Sequence, residues 1–192
     1  MNLADKFTLL RIILAPVFFA VYLLPVPLPA GLTVALLWVI AVIAEMTDMF
    51  DGMAARRLNQ SSDFGKLFDP FADTLMQLTG FLCFVVDGIF PAVLFLVVLY
   101  REFGILFIRN LMLRKGITMG ARISGKVKTV TYITAAAIAL FYSSLYRLGA
   151  LESFQPAVKI AALVVFCVSV FFSVLSFFDY LSAYRKAAGK KN

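Results

Sequence analysis

The chain has 192 residues, of which 62% are apolar and only 15% charged, with a formal net charge of +7 and no histidine. So few charges cannot cover a soluble domain of this length, and the composition is that of an integral membrane protein. The basic excess suits anionic lipid headgroups and phosphorylated substrates; nucleic acid is the poorer partner, because no soluble basic domain is present to hold it.

Uncharged stretches run over residues 12–44, 75–86, 88–100, 129–146 and 160–178. The first is long enough for two membrane spans, with Pro25, Pro27 and Pro29 marking the turn between them. Helices that continue through their polar ends give six spans, near 8–24, 32–57, 66–86, 90–114, 125–147 and 157–184. The expected fold is all-α, one polytopic membrane domain over residues 1–192, with residues 1–8 as a candidate short interfacial helix. Lys6 and Arg11 precede an apolar run as in a signal peptide, but no soluble domain follows, so a retained first span is expected. Cys83 and Cys167 stand alone in the third and sixth spans and read as small packing residues. Phe166, Phe171, Phe172, Phe177 and Phe178 read as lipid-facing or interhelical packing.

Basic residues are retained on the cytoplasmic side of short loops. With six spans, Lys6, Arg11, Arg56, Arg57, Lys66, Arg114, Lys115, Arg122, Lys126, Lys128, Arg185, Lys186, Lys190 and Lys191 fall on one side, whereas Arg147 and Lys159 fall on the other. Both termini are therefore expected in the cytoplasm.

Between the second and third spans lies the order Asp48-x-x-Asp51-Gly52-x-x-Ala55-Arg56, eight residues, Gly65-x-x-x-Asp69-x-x-x-Asp73. Asp48 and Asp51 are three apart and Asp69 and Asp73 four apart, so each pair projects from one helix face, with the Gly65 region available as the turn. At about 1.5 Å per residue from Leu32, Asp48 lies about 24 Å into a hydrocarbon core about 30 Å thick, just inside the cytoplasmic boundary. Four carboxylates there must share protons, pair with Arg56, Arg57 and Lys66, or gather cations. Two divalent cations balance four negative charges, and an oxygen-only set favours magnesium or manganese. Gly52 and Ala55 suit either close ligand approach or ordinary small-residue helix packing.

This segment resembles the signature of the CDP-alcohol phosphotransferase family, D-x-x-D-G-x-x-A-R, eight residues, G-x-x-x-D-x-x-x-D, at every defined position. Thr8 and Arg11 echo an N-terminal Asn-x-x-Thr-x-x-Arg pattern. Arg101-Glu102, Arg109 and residues 125–129 are similar to later segments of bacterial phosphatidylglycerophosphate synthases. The resemblance implies transfer of a phosphatidyl group from CDP-diacylglycerol to an alcohol, with release of CMP, at the cytoplasmic face of a bacterial inner membrane. It also implies metal ligation by Asp48, Asp51, Asp69 and Asp73, with Asp73 as the base, and nucleotide binding by Gly52, Ala55, Arg56 and Gly65. Thr8, Arg11 and Arg101 become candidate substrate contacts, with pairing to Glu102 or a nearby aspartate as the alternative for Arg101, and a homodimer is expected.

For the acceptor, Arg109, Lys126 and Lys128 form a basic group able to hold a phosphate, which favours glycerol 3-phosphate. An inositol phosphate, serine, choline or another alcohol is the alternative within the same reaction. From other classes, a magnesium transporter needs polar residues along a whole pathway, and a noncatalytic membrane scaffold has no use for the signature.

Overall fold

The computed structural model describes residues 3–25, 27–58, 63–114 and 123–189, although the side chains of residues 3–4, 48–58, 63–67, 113–114, 123 and 187–189 lie outside the description. Six helices make up the fold, and no strand occurs among the described residues: α1 (Leu3–Leu23), α2 (Ala30–Leu58), α3 (Asp63–Val86), α4 (Ala92–Arg114), α5 (Ile123–Leu148) and α6 (Gln155–Gly189). Four contain stretches long and apolar enough to cross a membrane: Asp5–Leu23, Ala30–Thr47, Ser124–Leu148 and Gln155–Lys186. The other two, α3 and α4, have 24 and 23 residues. At about 1.5 Å per residue each is about 35 Å long, which is long enough to cross a core of about 30 Å. What separates them from the four is charge: α3 holds Asp69 and Asp73, and α4 holds Arg101, Glu102 and Arg109.

Two sequence expectations change in detail. Among the described residues no separate interfacial helix precedes the first span, because α1 runs unbroken from Leu3 and its opening turns are part of the same helix. Gly65 itself is helical: α3 begins at Asp63, so Gly65 sits in its first turn, while residues 59–62 lie outside the described residues.

The backbone divides into two compact units, Met1–Val86 with Ser144–Ala150, and Asp87–Ser143 with Leu151–Asn192. In the first, α1 packs against both α2 and α3. Its buried residues Thr8, Arg11, Ala15, Phe18 and Tyr22 alternate three and four apart, as do Thr33, Leu37, Ile40, Ala44 and Thr47 on α2. That spacing places each set on one stripe of its helix. The opposite faces are just as apolar, with Ile13, Val39, Val42 and Met46 exposed. Lipid-facing apolar surface gives no hydrophobic drive for helix association, so side-chain fit and hydrogen bonds must hold the unit together. Trp38 Nε1 donates to Ser144 Oγ at 3.0 Å. Tyr22 meets Phe84 edge-on at 5.7 Å, its carbonyl accepts from Arg147 at 2.9 Å, and the guanidinium lies 4.6 Å from its ring centre.

In the second unit α4 packs on α6. The seam on α6 is Val158, Ala162, Phe166, Ser169, Ser173, Ser176 and Tyr180. Three buried serines let the backbones approach and supply polar atoms where there is no water. Phe166 stacks on Phe90 with ring centres 3.9 Å apart, while Phe171 and Phe178 are exposed, so the aromatic stripe divides into packing and outward faces. Phe177 lies against Gly104, where an added methyl carbon would meet its ring at 2.9 Å. Cys83 is buried and Cys167 faces outward. Gly149 adopts a left-handed φ of 60° just past α5, and the next amide, Ala150 N–H, returns to the Leu145 carbonyl at 3.0 Å. This is the usual way for a helix to close its last carbonyls.

Candidate active site

The signature is divided between two helices. Asp48, Asp51, Gly52, Ala55 and Arg56 occupy the last turns of α2, while Gly65, Asp69 and Asp73 occupy the first turns of α3. The side chains of Asp48, Asp51, Ala55 and Arg56 fall outside the described residues, so the described carboxylates are Asp69 and Asp73. They stand one helical turn apart, and α1 meets them with a matching turn. Thr8 Oγ1 donates to Asp69 Oδ1, and Arg11 Nη1 donates to Asp73 Oδ1. Thr8 and Arg11 are three apart and Asp69 and Asp73 four apart, so two adjacent turns of one helix reach two adjacent turns of the other.

The electrostatic arrangement is one-sided. The Arg11 side chain is 2% exposed, whereas that of Asp73 is 46% exposed. The guanidinium is thus enclosed, and the carboxylate has its other oxygen available to a ligand. The sequence placed Thr8 and Arg11 beside the substrate; the structure adds that both touch the acidic pair. Asp5, buried and one turn before Thr8 on the same face, went unassigned in the sequence reading. Its three-residue spacing from Thr8 was the available signal. Among the described residues no group of three or more His, Cys, Asp and Glu is gathered. The described donors are carboxylate oxygens, the chemistry that hard divalent cations prefer, and they fit magnesium or manganese.

A second polar cluster lies within the other unit. Arg101 Nε donates to the Ser173 carbonyl at 3.1 Å, its Nη2 to Ser176 Oγ at 2.9 Å and its Nη1 to Glu102 Oε1 at 2.8 Å. Lys128 Nζ reaches the same Glu102 oxygen at 2.8 Å and lies 4.4 Å from the Tyr132 ring centre. Tyr132 in turn donates to Ser173 Oγ at 2.6 Å. Of the residues assigned to substrates, Arg101 and Lys128 are therefore brought together through Glu102. Arg109 and Lys126 are exposed, on α4 and α5 respectively. Glu102, read from the sequence as a partner for Arg101, does pair with it at 2.8 Å, and the further contact with Lys128 is what the sequence did not assign; the signal was that Glu102 is the sole acid in α4 and α5.

These features define a helical integral membrane protein with acidic residues grouped on two helices and a buried ionic cluster on others. The chain belongs to the CDP-alcohol phosphatidyltransferase family, whose pattern matches residues 1–174. It is similar to the CDP-diacylglycerol--glycerol-3-phosphate 3-phosphatidyltransferase of Treponema pallidum, with 36% identity over 96% of this chain and 89% of that protein. The enzyme of the same name from Bacillus subtilis is 32% identical over 100% of this chain and 99% of its own length. A probable phosphatidylglycerophosphate synthase of Mycobacterium tuberculosis is 31% identical over 94% of this chain and 80% of its own.

Proposed function

We infer that the protein transfers the phosphatidyl group of CDP-diacylglycerol to glycerol 3-phosphate, giving phosphatidylglycerophosphate and CMP. The observation that carries this reading is the complete eight-position signature on α2 and α3, in a chain similar over nearly its whole length to enzymes named for that reaction. Family substrates are a CDP-alcohol and an alcohol acceptor; the phosphorylated acceptor is the finer reading, supported by the cations of α4 and α5.

Asp48, Asp51, Asp69 and Asp73 would hold two divalent cations, magnesium or manganese. When bound, these offset the charge of the diphosphate and of the departing CMP. Gly52, Ala55, Arg56 and Gly65 receive the nucleotide, and the diacyl tails remain in lipid. The acceptor hydroxyl attacks phosphorus in line; its oxygen forms the new P–O bond, and CMP leaves with the electrons of the old one. Asp73 takes the hydroxyl proton. Arg11 stabilises the ionised form of Asp73 before the proton arrives, and Thr8 fixes the rotamer of Asp69. Arg109, Lys126 and Lys128 bind the acceptor phosphate.

Residues 1–192 act as one domain, as a homodimer in a bacterial inner membrane, with both termini and the site facing the cytoplasm. The distribution of lysine and arginine supports that orientation, because the cations that fall on the opposite side are Arg147 and Lys159, against fourteen on the cytoplasmic side.

The test is CMP release by the purified protein with CDP-diacylglycerol and magnesium, with glycerol 3-phosphate, an inositol phosphate, serine and choline supplied singly. Release that requires glycerol 3-phosphate and disappears in Asp73→Asn is expected. Release with a different acceptor overturns the roles given to Arg109, Lys126 and Lys128, and release with none of them, from folded protein, overturns the reaction.

A further inference from the structure

The Glu102 cluster carries a charge imbalance that a purely structural ion pair would lack. Arg101 and Lys128 contribute two positive charges and Glu102 one negative, a sum of +1 among three side chains that are 12% exposed or less. Surplus charge in such surroundings is costly, and a bound anion removes the cost. Arg101 is committed on three sides, to Ser173, Ser176 and Glu102. Lys128 is less fully engaged: an ammonium has three N–H donors, and Glu102 takes one. One turn earlier on the same face of α5, the buried Ser124 hydroxyl oxygen has no hydrogen-bond partner. A buried polar atom left in that state calls for a ligand or another explanation. Glu102 is also seven residues from Arg109 on α4, two turns along and on the same side of the helix.

We propose that Glu102 is a positioning residue for the acceptor: it fixes the Lys128 ammonium so that this group and the Ser124 hydroxyl together meet the acceptor's phosphate. The inference rests on the phosphatidyltransferase reading and deepens it by saying what aims the phosphate-binding lysine. Arg101 anchors Glu102 to α6, and the Tyr132 ring bounds the ammonium from a second side. The carboxylate does not touch the acceptor. Its length, and not only its charge, then sets the affinity for a phosphorylated alcohol.

The experiment measures Michaelis constants for both substrates, as CMP release by the whole chain in lipid–detergent micelles. The variants are Glu102→Asp, Glu102→Gln, Ser124→Ala, Lys128→Met and the pair Glu102→Asp/Lys128→Met. Glu102→Asp keeps the charge and withdraws it by one methylene, a displacement large enough for a loss of about 10- to 100-fold. The expected result is an acceptor KM raised by at least about tenfold, with kcat and the CDP-diacylglycerol KM within about twofold of the unaltered protein. Ser124→Ala raises the acceptor KM by about tenfold, the loss of one hydrogen bond to a charged group. On the Lys128→Met background, Glu102→Asp adds less than about twofold, because the residue it acts through has gone.

An unchanged acceptor KM in Glu102→Asp or in Lys128→Met overturns the proposal, as does an equal rise for both substrates. Additive effects in the paired variant overturn it too. If Glu102→Asp does not fold, Ser124→Ala and Lys128→Met still carry the decision through the same split between acceptor and donor. The unaltered protein is assayed first: no release with glycerol 3-phosphate removes the reaction reading and this inference with it, whereas activity with an unmoved acceptor KM in the variants removes the inference alone.

Discussion

Neutralising Glu102 and neutralising Lys128 are expected to have opposite consequences for stability, although both remove the same 2.8 Å contact. At an effective dielectric of about 20, a charge pair at that distance is worth about 6 kcal/mol, so Glu102 with its two partners gives about 12. Both nitrogens touch one oxygen at 2.8 Å, so they are at most 2.8 + 2.8 = 5.6 Å apart, and their mutual repulsion is at least about 3 kcal/mol. Glu102→Gln abolishes both attractions and leaves the repulsion, while recovering the desolvation cost of one carboxylate. The net loss should be about 3–5 kcal/mol, typical of a buried pair from which one partner is removed. Lys128→Met loses one attraction and also the repulsion, a Coulomb change of only about 3 kcal/mol, and it regains the desolvation of an ammonium. The neutral Arg101–Glu102 pair remains, so the change in stability should be within about 1 kcal/mol. The assay is reversible unfolding in mixed micelles of increasing sodium dodecyl sulfate content, followed by circular dichroism. Equal losses in the two variants, or no loss in Glu102→Gln, would refute the assignment of Glu102 as the shared counter-ion.

Asp73→Asn should reduce kcat by about 10²- to 10⁴-fold through loss of the base, and should also lower the melting temperature because Arg11 loses this counter-ion; a variant with full activity rules out Asp73 as the base. Chelation with EDTA should abolish CMP release and excess magnesium should restore it, with isothermal titration of magnesium onto Asp69→Asn showing weaker binding than onto the unaltered protein; equal binding would take Asp69 out of the ligand set. Gly104→Leu should cost about 1–3 kcal/mol by forcing Phe177 aside. Gly80→Ala, which meets nothing within 4 Å, should be neutral or stabilise by up to about 1 kcal/mol; the same unfolding assay checks both, and a reversed order would mean that Phe177 does not pack on Gly104.

Much was available from the chain alone, because its physical causes are local. Apolar runs of span length and the triple-proline interruption favour helices whatever their neighbours, and α1 to α6 begin and end within three residues of the expected limits except at the start of α1 and the end of α6, which each extend five residues further. Spacing of three and four put Asp69 and Asp73 on one face of α3 without reference to any other helix. The charge ratio of the two loop sides likewise needs only a count.

Tertiary structure decided which groups answer those charges. That Thr8 meets Asp69 and Arg11 meets Asp73 depends on α1 lying against α3, a pairing of residues about sixty positions apart that no local pattern specifies. In the same way, the sequence read Lys128 as one of three equivalent cations, and left Arg101 between a substrate contact and a pair with Glu102 or an aspartate. The fold gives Arg101 to Ser173, Ser176 and Glu102, and puts Lys128 on that same carboxylate. The reason is the long range of the forces involved: hydropathy and helical period are summed along the chain, whereas a buried charge is stabilised by whichever partner the packing of separate helices brings within hydrogen-bond distance.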